Sequence, residues 1–275
     1  MQTSALGLKM FHGIFGCCVM LSVFWLVGAF VFAQPADKQD KSKEANPPLT
    51  ASQILDRMDR NMIFETRRSL ATMQIHRRGQ TIAKTMKIYS KGEDASYVEF
   101  LSPARDKGVK YLKLGDNLWM YLPSAEKIIK IAGHMLRQSM MGSDFSYEDM
   151  LDAGALKVRY DVKLLSTVDL DGRKAYLLEL NQKKRGETYP KRKIWVDTEH
   201  FTPLRTEMYA LSGRLLKSTT MSEVRKYGER YYPTVMRMED KMREGTWTKV
   251  TLDDIQFKVQ LPEQVFSLRN LQREN

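Results

Sequence analysis

Few residues in this chain have the types and spacing that could do chemistry. His134 precedes Ser139, Ser143 and Ser146, which supplies a base and three hydroxyls, but none of these serines sits in the G-x-S-x-G turn that exposes an attacking oxygen. His76, His134 and His200 are far apart and none has a second ligand at metal spacing; they read as surface or loop residues. Glu148 and Asp149 are paired acids, yet they follow Ser146 where a helix would begin, and a helix N-terminus attracts carboxylates through its dipole alone. Capping explains them, at the start of a short helix that Gly154 can end. The only cysteines, Cys17 and Cys18, lie in a hydrophobic run, so a mature chain starting after that run has no disulfide and no thiol chemistry. A lipid-attached Cys17 is the rival reading, opposed by the bulky Phe15 before Gly16 and by the short apolar run upstream. No catalytic residue, metal site or cofactor is expected, and the chain does not read as an enzyme.

Two groups suit binding. Lys183, Lys184, Arg185, Lys191, Arg192 and Lys193 surround Gly186 and Pro190, a hairpin loop that is either a solvated surface or a docking site for anionic membrane. The stretch from Met135 through Met140, Met141, Gly142, Asp144, Phe145 and Tyr147 has no clear period before Ser146. Methionine adapts to variable partners, so this segment reads as an apolar flap; ordinary loop packing on a core would use the same residues.

The elements that must position these groups follow from the chain's organisation. Residues 1–33 carry one charge, Lys9, ahead of an uncharged run from Ile14 to Ala33, a secretory signal pattern with a small-residue cleavage site at Val31 and Ala33. An uncleaved anchor is the alternative, since the run reaches the ~20 residues that span a bilayer; either way the chain is exported. Residues 34–48 hold three prolines and six charges with no large aliphatic side chain, and such a segment is a disordered linker. A single domain is expected over 49–275. The net charge of +11 favours anionic partners, and in a cell envelope these are phospholipid headgroups, not nucleic acid.

The domain opens with a helix: Thr50 and Gln53 have capping-box spacing, and Leu49 with Ile54 can form the staple. Strand-like runs then alternate with turn dipeptides, among them Gly115-Asp116, Asp171-Gly172, Ser212-Gly213 and Glu244-Gly245, which read as hairpins. Eleven to thirteen strands without strand–helix alternation imply one antiparallel sheet. Alternation gives it one dry face, carrying Met86 and Ile88, Val98 and Phe100, Leu112 and Leu114, Tyr176 with Leu178, and Met236 with Met238. Eleven strands make a sheet ~50 Å wide, whereas a helix is only ~10 Å across. The short helices therefore leave either a sheet curled into a filled barrel or an apolar hollow.

The run Met141 to Asp149, following Leu118, Trp119, Met120, Tyr121, Leu122 and Pro123, resembles the outer-membrane lipoprotein-sorting family of LolA/LolB-like proteins, in the branch found beside RND-type exporters. The likeness extends from the helix with Ile54 to Pro262–Phe266. It implies a mainly β (α+β) fold, a curved antiparallel sheet forming an incomplete β-barrel closed by short helices over an apolar cavity. It also implies a periplasmic carrier of lipid or lipoprotein acyl chains, with an inner-membrane exporter as partner. The alternative function is an envelope sensor or accessory lipid-binding protein that carries no cargo. Candidate cavity residues are Met86, Phe100, Leu112, Trp119, Met120, Tyr176, Leu178, Met236 and Met238, with Trp119 the preferred aromatic; Trp195 and Trp247 are expected in the core.

Overall fold

The computed structural model describes residues 48–152 and 156–273. The leader, nearly all of the linker and Gly154, the expected end of the second helix, lie outside the described residues.

Helix α1 (Ala51–Met62) is capped as its sequence requires. The Gln53 N–H donates to Thr50 Oγ1 at 3.2 Å while the Thr50 N–H donates to Gln53 Oε1 at 2.9 Å, two otherwise orphan donors satisfied reciprocally. Ile54, Leu55 and Met58 then form one buried face.

Thirteen strands follow, β1 (Thr66–Arg77), β2 (Gln80–Lys91), β3 (Ala95–Ser102), β4 (Lys110–Leu114), β5 (Asn117–Leu122), β6 (Lys127–Ile131), β7 (Tyr160–Leu170), β8 (Arg173–Gln182), β9 (Lys191–Asp197), β10 (Pro203–Tyr209), β11 (Leu215–Tyr227), β12 (Arg230–Asp240) and β13 (Trp247–Phe257). All pair antiparallel in one curved, unclosed sheet of order β6-β5-β4-β3-β2-β1-β13-β12-β11-β10-β9-β8-β7. Each of the four expected turn dipeptides connects sequential strands. Asp171 and Gly172 both have positive φ, 54° and 80°, the twist that a two-residue hairpin between right-handed strands demands.

The first and last strands join the two halves, with Met73 opposite Val250 and Ile75 opposite Thr248. Strands β6 and β7 are the sheet edges, and the chain passes between them through residues 132–159. This crossover contains 3-10 turns at Gly133–Arg137 and Met140–Gly142 and the short helices α2 (Tyr147–Leu151) and α3 (Leu156–Arg159).

Three apolar clusters hold the sheet. The largest joins Ala71, Met73, Met86, Phe100, Tyr111, Met120 and Met238 to Met140, Phe145 and Tyr147 of the crossover. A second packs Ile54, Leu55 and Met58 of α1 on Leu178, Leu180, Ile194 and Val196. The third lies on the other face, where Leu271 of α4 (Leu268–Leu271) covers Tyr97 and Leu112. Among the described residues no helix is long and apolar enough to cross a membrane.

Candidate functional site

Helices α1 and α2 stand on the concave face of the sheet and leave between them a cavity of about 510 Å³, within the range of small-molecule sites. Its apolar wall includes Met58 and Met62 of α1, Met150 of α2, and Ile88, Val98, Met221, Met236, Val250 and Leu252 of the strands, with Phe64, Leu156, Ile194 and Tyr232 among the others. Five of the lining side chains are methionines, which fill irregular space and repack readily.

The wall also carries charges, most of them neutralised internally. Arg192 is buried and makes a bidentate pair with Asp152, at 2.5 and 2.8 Å, while its Nε–H donates to the Tyr160 hydroxyl at 3.0 Å. The rings of Tyr160 and Tyr189 lie 4.9 and 5.3 Å from its guanidinium carbon. Burial opposes its charge, but the Asp152 carboxylate and these hydrogen bonds outweigh it and hold the guanidinium above its ordinary pKa. Asp149 pairs with Lys217 at 2.5 Å and accepts from the Tyr189 hydroxyl at 2.7 Å. Its Oδ2 also accepts from the Ser146 N–H at 2.7 Å, so the carboxylate that caps α2 also ties that helix to β11.

Lys113 donates to the Glu93 carbonyl at 2.8 Å. Burial lowers its pKa, against the pull of Asp94, Glu93 and Asp116. Asp59 is pushed up to about 6, by burial first and then by the negative charges of Glu93 and Asp56, with Lys157 opposing. Arg67 reaches the cavity from the start of β1; its Nη1 donates to the Tyr232 hydroxyl and its Nη2 to Ser90 Oγ at 3.2 Å. A polar cleft of about 400 Å³ adjoins, lined by Glu93, Asp94, Asp116, Asp152 and Arg159 among others; Arg159 bridges Asp152 and Glu187, both at 2.7 Å. Among the described residues no three His, Cys, Asp or Glu side chains gather as metal ligands.

The cavity candidates separate into four environments. Met236 lines the cavity. Met86, Phe100, Met120 and Met238 are packed in the adjoining core, and Tyr176 and Leu178 sit in the cluster under α1. Leu112 and Trp119 are corrections: they oppose each other across β4 and β5 on the convex side, against the C-terminal segment. Successive strand residues point to opposite faces, so Trp119 and Met120 cannot line one surface. The pattern misleads in β4 because the C-terminal segment covers its outer face and both sides become apolar. Trp195 and Trp247 also differ from expectation; both are only half-buried, with Arg205 and Arg237 5.9 and 4.7 Å from their ring centroids.

The Met-rich segment is anchored, not loose. Met140 is buried, Met135 and Met141 pack beside it, and an isolated bridge joins Ser139 to Ser146. Asp144 is buried, accepting from the hydroxyls of Thr246 and Thr248 at 2.5 and 2.6 Å, while its N–H donates to Thr248 at 2.9 Å. Gly142 takes φ 80° in the turn that places it. Tyr147 packs 5.8 Å from Tyr111. Of this segment and its helix, Asp149 and Met150 reach the cavity.

The basic cluster is likewise divided. Lys183, Lys184 and Arg185 are exposed on the β8–β9 loop, whereas Lys191 pairs with Glu179 at 2.7 Å and Lys193 lies over the Tyr209 ring. Arg192 cannot dock a membrane, because the strand alternation turns it inward to Asp152.

Arg67, Met58, Met62, Met150, Met221 and Tyr232 were not among the sequence candidates. A signal for Arg67 existed: Arg67, Ser69, Ala71, Met73 and Ile75 share one face of β1 by period two, which makes Arg67 the polar end of a dry stripe.

A family model for an uncharacterized protein matches residues 92–273. No curated protein matches the chain. Among solved structures, a DUF1329 family protein from Desulfovibrio piger is 32% identical with TM-score 0.74, the match covering 79% of this chain and 96% of that one. A LolA superfamily protein from Nitrosomonas europaea is 26% identical with TM-score 0.68, over 81% of this chain and 100% of the other. A putative outer membrane lipoprotein-sorting protein domain from Vibrio parahaemolyticus shares the fold at 23% identity and TM-score 0.73, over 82% and 98%. With the unclosed antiparallel sheet, the helices on its concave face and a relative at this identity over nearly its whole length, the chain belongs to the DUF1329 family of LolA-like proteins.

Proposed function

We propose that this protein is a non-catalytic periplasmic carrier that shields an acyl chain of a lipid or lipoprotein in the cavity between α1, α2 and the sheet. The observation that carries the reading is the cavity itself, about 510 Å³ walled by Met58, Met62, Ile88, Val98, Met221 and Met236. At ~0.8 kcal/mol per buried methylene, a long chain gains on the order of 10 kcal/mol before the costs of binding. A carrier needs that gain and must also release the chain, and a methionine-rich wall that repacks serves both. The sorting role of the Vibrio relative and the LolA kinship support transfer across the envelope. An RND-type exporter is the partner that the sequence resemblance adds. Lys183, Lys184 and Arg185 serve as a docking loop for anionic membrane, and the segment through Met135, Met140 and Met141 serves as the gate by releasing its anchor between Asp144 and Thr248 when the chain enters.

The test is to purify the protein under mild conditions, extract it, and identify bound lipids by mass spectrometry, then replace Met236 or Val98 with Asp. The parent should carry stoichiometric acyl lipid and the folded variants should carry little. A parent that holds no lipid and binds no apolar probe would sink the reading.

A further inference from the structure

Three cationic side chains line the cavity. Arg192 pairs with Asp152, and Lys113 donates to the backbone carbonyls of Glu93 and Leu151 at 2.8 and 3.4 Å. Arg67 has neither a carboxylate nor a carbonyl as partner among the described residues. Among the described residues no carboxylate lies within 4.0 Å of its guanidinium. Its two hydrogen-bonded partners are the neutral hydroxyls of Tyr232 and Ser90, and its buried Nε–H has none. The Tyr232 ring also stands 5.6 Å from its guanidinium carbon.

A guanidinium has five donors in a planar fork that matches a carboxylate or phosphate. The buried Nε–H is closed off from the cavity, so an anion there meets the Nη1 and Nη2 end of the fork, whose partners are neutral hydroxyls, and gains charge-assisted bonds from it. Around this fork, Ser90 and Tyr232 line the same cavity and can turn their hydroxyl hydrogens toward an incoming oxygen. Beyond them the wall is hydrocarbon and thioether, at Ile88, Val98 and Met236. The volume adds a second limit: at roughly 30 Å³ for a water-sized group, the cavity holds on the order of seventeen, the bulk of one long chain.

Resting on the carrier reading, we propose that the cavity's ligand is a single-chain amphiphile with an anionic head, and that Arg67 is the residue that binds the head. A lipoprotein's diacylglycerol end offers no such anion beside its chains, so the assignment selects among the cargoes that a bare apolar hollow would accept. Carboxylate and phosphate monoesters share the required chemistry.

The experiment displaces a neutral fluorescent naphthylamine from the purified full-length protein at pH 8 with hexadecanoate, hexadecyl phosphate or hexadecanol, chains matched in length. The parent should prefer at least one anion over the alcohol by tenfold or more, and whichever anion wins identifies the head. Arg67→Gln should erase that preference while leaving hexadecanol within twofold. Arg67→Met, similar in length and apolar, is the second variant should Gln disturb the fold. Equal displacement by acid, phosphate and alcohol in the parent overturns the anionic head, as does a preference that survives in both variants. If none of the three displaces the probe from the parent, the carrier reading fails instead.

Discussion

Asp152 is the place where a single substitution should cost most. It accepts two bonds from Arg192 and one from Arg159 at 2.7 Å, and the Arg192 side chain is only 6% exposed. Asp152→Ala leaves a buried guanidinium with the Tyr160 hydroxyl and two aromatic rings as its partners. Breaking one side of a buried pair costs about 3–5 kcal/mol. The Tyr160 bond and the ring contacts survive, which places the expected loss near ~3 kcal/mol. For a domain of this size that lowers Tm by about 6–12 °C. Replacing both partners together, Asp152→Leu with Arg192→Met, removes the charge as well as its counterion and should recover most of the loss, because a well-packed apolar pair is often as stable as a buried ionic one. Urea unfolding followed by far-UV circular dichroism measures both variants and the two single substitutions, Asp152→Leu and Arg192→Met. An Asp152→Ala loss below 1 kcal/mol, or a double variant weaker than the single ones, would refute the reasoning that the pair is desolvated.

Three further outcomes are expected. Asp59, its pKa raised to about 6, is ionised at a cost in the folded state; that cost is absent below its ordinary value, grows between 3.8 and about 6, and is full above. Asp59→Asn should therefore stabilise the protein at pH 8 by ~1–2 kcal/mol, a figure reduced for partial exposure, with the gain vanishing near pH 4; equal gains at both pH values would contradict the assignment. Thr248→Val removes one donor from the buried Asp144 and should cost ~2 kcal/mol, with hydrogen exchange accelerated in residues 140–150 before the rest of the sheet. Lys184→Glu with Arg185→Glu should reduce binding to anionic vesicles at low salt only, since exposed charges are screened; vesicle cosedimentation unchanged by the swap would remove the docking loop.

The parts of this fold legible in the sequence are those set by neighbours along the chain. Thr50 with Gln53, the Asp171-Gly172 turn and the Met86–Ile88 alternation each specify local geometry within a few residues, and the structure uses all three. What eluded the sequence depends on distant partners. Whether Leu112 or Tyr111 faces the hollow is decided by Leu271, far down the chain and on the other side of the sheet. Arg192 reads as one of six basic side chains in a loop until Asp152 is seen beside it. The crossover reads as a loose flap because its anchors, Thr248 and Lys217, come from β13 and β11. Period-two counting alone, applied strictly, separates Trp119 from Met120 and brings Arg67 into view.

The strand order has a mechanical consequence. The sheet is unclosed: its order ends at two edges, β6 and β7, and the cut lies between them. In a complete barrel the perimeter is fixed, because widening it anywhere severs a ladder of backbone bonds. Here the perimeter has a free end on each side of the cut. The two edges can part or approach without losing a strand-to-strand hydrogen bond, and the crossover that joins them sets how far. Its side-chain ties, Asp144 to Thr248 and Asp149 to Lys217, act as stops on that travel. Girth in this protein is thus set by the crossover's polar ties together with the apolar packing of Met140, Phe145 and Tyr147 on the sheet.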